Sequence, residues 1–183
     1  PYIAHALDEV PSQYSMYDVY LLGYSMGGRV ALYYALNGSV ALRGLLLEST
    51  SAGIQSEADK VERVQVDAAR AKVLEIAGLE IFVNDWEKLP LFRSQYELDA
   101  EVRKAIRANR MSQNPVRLAK ALRDYGTGNM PNLWPHVSSL SVRTLILTGE
   151  KDEKFVQIGQ KLKEEIPNSH TVQVSDVGHT IHV

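Results

Sequence analysis

Cysteine is absent from the 183 residues, and that single gap excludes disulfide bridges, thiolate nucleophiles and cysteine-ligated metal sites. Long apolar runs are missing too. No uninterrupted stretch of about 20 apolar residues exists to span a bilayer, and the first residues show no signal-peptide pattern. Nor is charge of one sign in excess. With 20 Lys and Arg against 22 Asp and Glu, the formal net charge is -2 and the isoelectric point lies near 6.2, which argues against a general nucleic-acid or membrane-surface role. The expected setting is the cytoplasm, with neither nucleic acid nor membrane as a partner. Internal repeats and low-complexity tracts are also lacking. What remains is a globular composition, 45% hydrophobic and 23% charged, sufficient for a real core and most simply one domain.

The most informative stretch is Gly23-Tyr24-Ser25-Met26-Gly27, a G-x-S-x-G pattern. It follows the apolar, β-prone run Val19 to Leu22 and precedes the helix-compatible run Arg29 to Leu36, which Asn37-Gly38 closes. Strand, sharp turn and helix in that order define a nucleophile elbow, in which the serine backbone is strained and small residues are needed where strand and helix crowd together. Gly23 and Gly27 are expected to supply them. The turn would raise the Ser25 hydroxyl above the sheet edge and aim the helix N-terminus, with the Met26 N–H, at negative charge developing beside it. The alternative is a glycine-rich βα turn with a surface serine.

Along the rest of the chain, Ile3, Ala6, Leu7 and Val10 recur at helical spacing until Pro11 is expected to stop the run. Leu45-Leu46-Leu47, within Leu42 to Glu48, reads as a buried parallel strand, as does Thr144 to Thr148. Ile158, Leu162 and Ile166 mark a helix ended by Pro167, and Thr171 to Val174 one more strand. The fold class is therefore α/β. The stretch 51–141 is too long for a simple crossover and carries its own helical signals, with Val61, Val64, Ala68 and Ala71 on one face and Leu98, Val102, Ala105 and Ile106 on another. Asn114-Pro115 forms an N-cap and N1 pair for a further helix that Gly126 ends. The expected organisation is an α/β core (1–50 and 142–183) interrupted by a helical cap (51–141).

A serine becomes a nucleophile or base when an imidazole takes its proton and a carboxylate orients that imidazole, in the chain order serine, acid, histidine on such a sheet. Asp152 follows the Leu145 strand in Gly149-Glu150-Lys151-Asp152, and His179 follows the Val172 strand in Val177-Gly178-His179. Both positions lie at strand C-terminal ends, where α/β sites sit. Asp152 also suits the N-cap of the Phe155 helix, Glu150 and Glu153 are its neighbours, and His182 is the rival to His179. His5, His136 and His170 lie outside these loops and read as surface or packing residues.

Taken together, these residues resemble the α/β-hydrolase fold, and within it the synthases of menaquinone biosynthesis that form 2-succinyl-6-hydroxy-2,4-cyclohexadiene-1-carboxylate by eliminating pyruvate. The resemblance rests on Gly23 to Arg29, Leu47-Glu48-Ser49, Arg63 to Asp67, Asn84-Asp85-Trp86 with Pro90-Leu91-Phe92, Arg110 with Asn114-Pro115, Gly149 to Asp152 with Lys154-Phe155, and Gly178-His179 with His182. It implies a lyase without metal or organic cofactor, acting on a small polycarboxylate. Ser25, Asp152 and His179 are the implied catalytic residues and the Met26 N–H an oxyanion donor. Arg29, Arg63 and Arg110 would hold substrate carboxylates, with Tyr24 and Trp86 as pocket residues. Planar guanidinium groups suit that ligand because they grip carboxylates bidentately.

By their local pattern alone, Arg63 with Asp67 reads as a solvated helix pair, Arg110 as part of a basic run with Arg103, Lys104 and Arg107, and Trp86 as a cap-core aromatic. Two other functions fit the same elbow: a serine hydrolase in which Ser25 is acylated, and a noncatalytic or truncated binding protein. Against the family pattern, only 24 residues precede Ser25, too few for the early strands and the loop that supplies a second oxyanion donor. The chain is thus expected to be truncated at both ends, lacking those strands and a final helix.

Overall fold

The computed structural model describes residues 2–183. In chain order the helices and strands are α1 (Tyr2–Gln13), β1 (Tyr20–Tyr24), α2 (Met26–Asn37), β2 (Gly44–Glu48), α3 (Glu57–Ile76), α4 (Gly78–Trp86), α5 (Ala100–Met111), α6 (Pro115–Tyr125), β3 (Thr144–Gly149), α7 (Glu153–Glu165) and β4 (Ser169–Val174). Short 3₁₀ turns run over Pro90–Glu97 and Trp134–Ser139. The chain divides into two compact units, one comprising the residues up to Gly53 and Asn132–Ile181, the other Ile54–Pro131 with His182–Val183.

The first unit is a parallel sheet in the order β1-β2-β3-β4. β2 reads Gly-Leu-Leu-Leu-Glu because a strand between two neighbours, covered on both faces, requires apolar side chains at successive positions. Leu45 and Leu47 join Ile146, Leu162, Ile166, Ala31, Leu32 and Val137 in one core. Since all four strands run the same way, their C-terminal ends lie at one edge, and the residues following each strand collect there. At the sheet's outer side β1 leaves Tyr20 and Leu22 exposed. Pro11 does not end α1, contrary to expectation. It lies buried in the last turn, where little helix remains downstream to be disrupted, and the helix runs on only to Gln13.

The second unit is helical. Ser56 caps α3 by accepting the Asp59 N–H (3.2 Å), and Asn114 caps α6 by accepting the Arg117 N–H (3.1 Å). Ala71, Leu74 and Ala119 form its core, with Leu79, Phe82, Leu118 and Leu122 against them. The expected apolar faces are only partly the buried ones. Val61 is 58% exposed, α5 buries none of its residues, and the deepest polar group on α3 is Asp67, 2% exposed. Arg63 Nε donates to both Asp67 oxygens (2.9 and 3.0 Å), and Arg70 approaches from the next turn (3.5 Å). Pairing makes that burial tolerable. Gly126 makes room for it, because a Cβ there would lie 2.5 Å from Asp67 Oδ2.

Among the described residues, no helix is long and apolar enough to cross a membrane, and no group of three or more His, Asp or Glu side chains is placed to hold a metal ion.

Candidate active site

Ser25 stands between β1 and α2 at φ 50°, ψ -113°, a conformation that L-residues seldom adopt. The crowding that forces the turn falls on Gly23 and Gly28. A Cβ on Gly23 would lie 2.4 Å from the Gly27 carbonyl oxygen, and one on Gly28 would lie 2.5 Å from Thr50 Cβ. At Gly27 a Cβ would meet nothing within 4 Å. The expectation for Gly27 is corrected accordingly: the close approach comes one residue later, where α2 crosses the end of β2.

The residues after β2 hold the elbow from beneath. The Ser25 N–H donates to the Glu48 carbonyl (2.9 Å), while Thr50 Oγ1 donates to the Ser25 carbonyl (2.7 Å). Ser49, between them, is fully buried at φ 45° and turns the chain sharply, so that both its neighbours reach Ser25. Its hydroxyl has no hydrogen-bond partner among the described residues.

Asp152 and His179 come from the ends of β3 and β4. Asp152 Oδ2 lies 2.7 Å from His179 Nδ1, and His179 Nε2 lies 3.1 Å from Ser25 Oγ. His179 is 1% exposed and Asp152 8%. Asp152 performs the second task considered for it as well: its other oxygen, Oδ1, accepts the Phe155 N–H (3.4 Å) at the start of α7. The two loops are fastened together. Lys151 N–H donates to the Val177 carbonyl (2.9 Å), Asp176 N–H donates to Glu150 (2.9 Å), and Lys151 pairs with Asp176 (2.7 Å). Gly149 permits the approach, since a Cβ there would sit 2.0 Å from the Gly178 carbonyl oxygen. The imidazole is further bounded by Phe155 (ring centroids 4.6 Å) and Tyr24 (5.3 Å), and the Tyr24 hydroxyl is 2.8 Å from Thr180 Oγ1.

The geometry therefore brings together Ser25, Asp152, His179, Tyr24 and Met26, the first residue of α2. Arg29 belongs to the same helix, 7% exposed, its N–H 3.3 Å from the Ser25 carbonyl. His182 is exposed and takes no place in the Ser25–His179–Asp152 chain, and His5, His136 and His170 are exposed as well. Sequence reading did not name Thr50, and it named Gly28 and Glu48 as parts of the resemblance without giving either a structural role. The signal available for them was the polar run Glu48-Ser49-Thr50 directly after an otherwise apolar strand.

The other predicted residues belong to the helical unit. Arg63 engages Asp67 through Nε. Trp86 stacks on Phe82 (5.4 Å), meets Phe92 (5.7 Å) and carries the Arg70 guanidinium over its ring (5.2 Å). Arg110 binds Glu87 (3.2 Å) and Gln95 (2.9 Å) and lies over Phe92 (4.8 Å). Arg107 shares Glu87 with it (2.8 Å), and both arginines line a cavity of about 310 Å³ beside Phe92 and Tyr96.

A parallel sheet with a strained serine between strand and helix, followed in the chain by an acid and a histidine at later strand ends, is the arrangement of one large enzyme class. Residues 3–183 match the model of that family, the alpha/beta hydrolase fold, and the chain belongs to it.

Within the family its similarities are narrower. The solved structure of MenH from Staphylococcus aureus is 60% identical, with a TM-score of 0.96 over 99% of this chain and 68% of its own. A 2-succinyl-6-hydroxy-2,4-cyclohexadiene-1-carboxylate synthase of Salmonella paratyphi B is 32% identical over 169 residues, 92% of this chain and 64% of its own length. A Bacillus subtilis protein whose description carries the same synthase name is 40% identical over 177 residues, 97% of this chain and 65% of its own length. The chain thus spans slightly less than two thirds of the length of these two curated relatives. A thermophilic esterase from Thermogutta terrifontis, solved with malate bound, is 27% identical with a TM-score of 0.80 over 96% of this chain and 63% of its own.

Proposed function

We propose that this chain carries the chemistry of a lyase in menaquinone biosynthesis, eliminating pyruvate from 2-succinyl-5-enolpyruvyl-6-hydroxy-3-cyclohexene-1-carboxylate to give 2-succinyl-6-hydroxy-2,4-cyclohexadiene-1-carboxylate. The observation that carries this reading is the Ser25–His179–Asp152 chain in a protein 60% identical to the Staphylococcus aureus MenH. His179 Nε2 draws the Ser25 proton, and the serine oxygen then removes a proton from a substrate ring carbon. The electron pair left behind forms a C2–C3 double bond, the existing C3–C4 double bond shifts to C4–C5, and the C5–O bond to the enolpyruvyl group breaks. Pyruvate departs in its enol form and takes up the proton held by His179. Asp152 holds the imidazole in the tautomer that accepts at Nε2, and no acyl-enzyme forms.

Charge develops on oxygen during this step, and the Met26 N–H at the start of α2 is the donor assigned to it. Arg29 is the arginine of the first unit assigned to a substrate carboxylate. Arg63, which spends Nε on Asp67, and Arg110 are assigned to the remaining carboxylates, with Tyr24 and Trp86 as the pocket's aromatic surfaces. Neither metal nor organic cofactor enters the scheme, and the reaction belongs in the cytoplasm.

The second reading is a serine hydrolase in which Ser25 Oγ is acylated, favoured by the fold shared with the Thermogutta terrifontis esterase. Pyruvate release, followed through coupled NADH oxidation, separates the two when run beside a panel of simple esters and beside Ser25→Ala and Arg29→Ala. Release that vanishes in both variants, with negligible ester turnover, supports the lyase. Ester turnover without pyruvate sinks it.

A further inference from the structure

Glu48 is a buried carboxylate, 4% exposed, for which the elimination scheme above has no use. Its surroundings give it one. Through its main-chain carbonyl it accepts the N–H of Ser25 (2.9 Å), and through Oε1 it accepts the N–H of Ile181 (2.9 Å), two residues beyond His179. A single residue at the end of β2 therefore touches both the strained nucleophile and the loop that delivers the imidazole. The bond to the loop crosses 133 positions of sequence, whereas the loop's main-chain bonds at Val177, from Lys151 N–H, and at Asp176, to Glu150, lie on the opposite side of His179. Between those tethers the histidine has little freedom to swing. The main-chain carbonyl at the end of β2 already accepts from Ser25, and it is the side chain that accepts from Ile181.

From this we infer that Glu48 is a positioning residue that fixes the Ser25–His179 separation by anchoring the loop at Ile181. It acts through that loop and does not touch the reacting atoms. The inference rests on Ser25 and His179 being the working pair of the proposed function, and it holds whether that pair serves a lyase or a hydrolase. A carboxylate is well suited to the role, since hydrogen bonds to a charged acceptor are shorter and stronger than neutral ones. The essential requirement is nevertheless an acceptor oxygen at that point, which an amide also provides.

The experiment is the rate of Ser25 modification by a fluorophosphonate in the complete chain, compared among the parent, Glu48→Ala and Glu48→Gln. Saturation analysis separates reagent affinity from the covalent step, and thermal melts and the far-downfield proton resonance of the His179–Asp152 hydrogen bond accompany it. Glu48→Ala is expected to slow the covalent step at least tenfold with affinity within about twofold, whereas Glu48→Gln recovers to within about threefold of the parent and keeps the downfield resonance. Equal rates in all three proteins overturn the inference, as does a Gln variant as slow as Ala with an unchanged melt, because charge rather than the bond to Ile181 would then be what matters. Loss of the folded state in both variants also overturns it by making Glu48 a general stability residue. A parent chain that does not react at Ser25 removes the nucleophile reading itself, an outcome distinct from all of these.

Discussion

The sheet unit and the helical unit place their chemistry-bearing side chains by different means. In the sheet unit Ser25, Asp152 and His179 each follow the end of a strand, and backbone geometry dictates what can stand beside them: Ser25 at φ 50° needs Gly23 and Gly28, and His179 needs Gly149. In the helical unit Arg63, Arg70, Arg107 and Arg110 project from regular helices, where any residue fits the backbone, and are held by carboxylates, Asp67 for the first two and Glu87 for the others. A site built on strained turns is rigid and leaves a sequence trace; one built on helix faces is adjustable and leaves little.

The sharpest way to press that contrast is Asp152, which serves both the imidazole and the α7 N-terminus. Asp152→Asn keeps an acceptor for the Phe155 N–H but favours the wrong histidine tautomer, so Ser25-dependent turnover should fall by about 10⁴-fold with the melt nearly unchanged. Asp152→Ala should lose the same activity and also about 1 kcal/mol of stability as the cap disappears. An Asn variant that retains activity would detach Asp152 from the imidazole.

The helical unit is expected to fail differently. Asp67→Ala leaves the Arg63 and Arg70 guanidinium groups facing each other without their shared anion, and denaturant unfolding should show a loss of about 3 kcal/mol. Because Arg63 and Arg70 are 35% and 27% exposed, water relieves part of that cost.

A smaller test returns to the elbow. Gly28→Ala forces a methyl group into Thr50 and should cost about 2 kcal/mol together with reduced Ser25 reactivity. Gly27→Ala enters open space in a helix and should be neutral or stabilising by about 0.5 kcal/mol. The reverse ranking would put the crowding back on Gly27.

A further test concerns a polar pair of the sheet unit away from the elbow. Burial and the bond to Asp8 (2.7 Å) push the Tyr34 phenol up to about 12. The folded state therefore binds this proton more tightly than the unfolded one, so the stabilisation is complete below about pH 10 and is lost as pH rises towards 12, by about 1 to 2 kcal/mol. Asp8 is shifted the other way, chiefly by the Tyr34 hydroxyl, so its contribution is present above the ordinary carboxylate range and is lost in acid. Stability curves of the parent and Tyr34→Phe should diverge below pH 10 and converge at the alkaline end.

The same contrast explains what could be read from the amino-acid order. The convergence of Ser25, Asp152 and His179 was legible because an elbow and two strand ends restrict both residue type and chain order. Gly28 was mistaken for Gly27 because the one-residue difference depends on how α2 crosses β2, a tertiary fact. Pro11 was misread because a proline in a final turn loses too little to end a helix. The roles of Glu48 and Asp67 were hidden for a common reason: a charged residue counts as a surface residue until its partners, 133 positions away at Ile181 or one helical turn away at Arg63, are known. Asp152 resisted a choice between helix cap and imidazole partner because one oxygen accepts the Phe155 N–H while the other lies 2.7 Å from His179 Nδ1.

The level register of the sheet, with Tyr24 opposite Glu48 and Gly149 opposite Val174, bears on how such a protein can change over generations. Substitutions along the strands alter packing by degrees. A single inserted or deleted residue within a strand instead moves everything after it by about 3.3 Å and reverses the face to which each side chain points. For Ser25 and His179, separated by 3.1 Å between Oγ and Nε2, one such step is a complete disconnection. Length variation in this lineage should therefore gather in the connections at the far ends of the strands and in the helical unit, while the spacing from each strand to its site residue stays fixed.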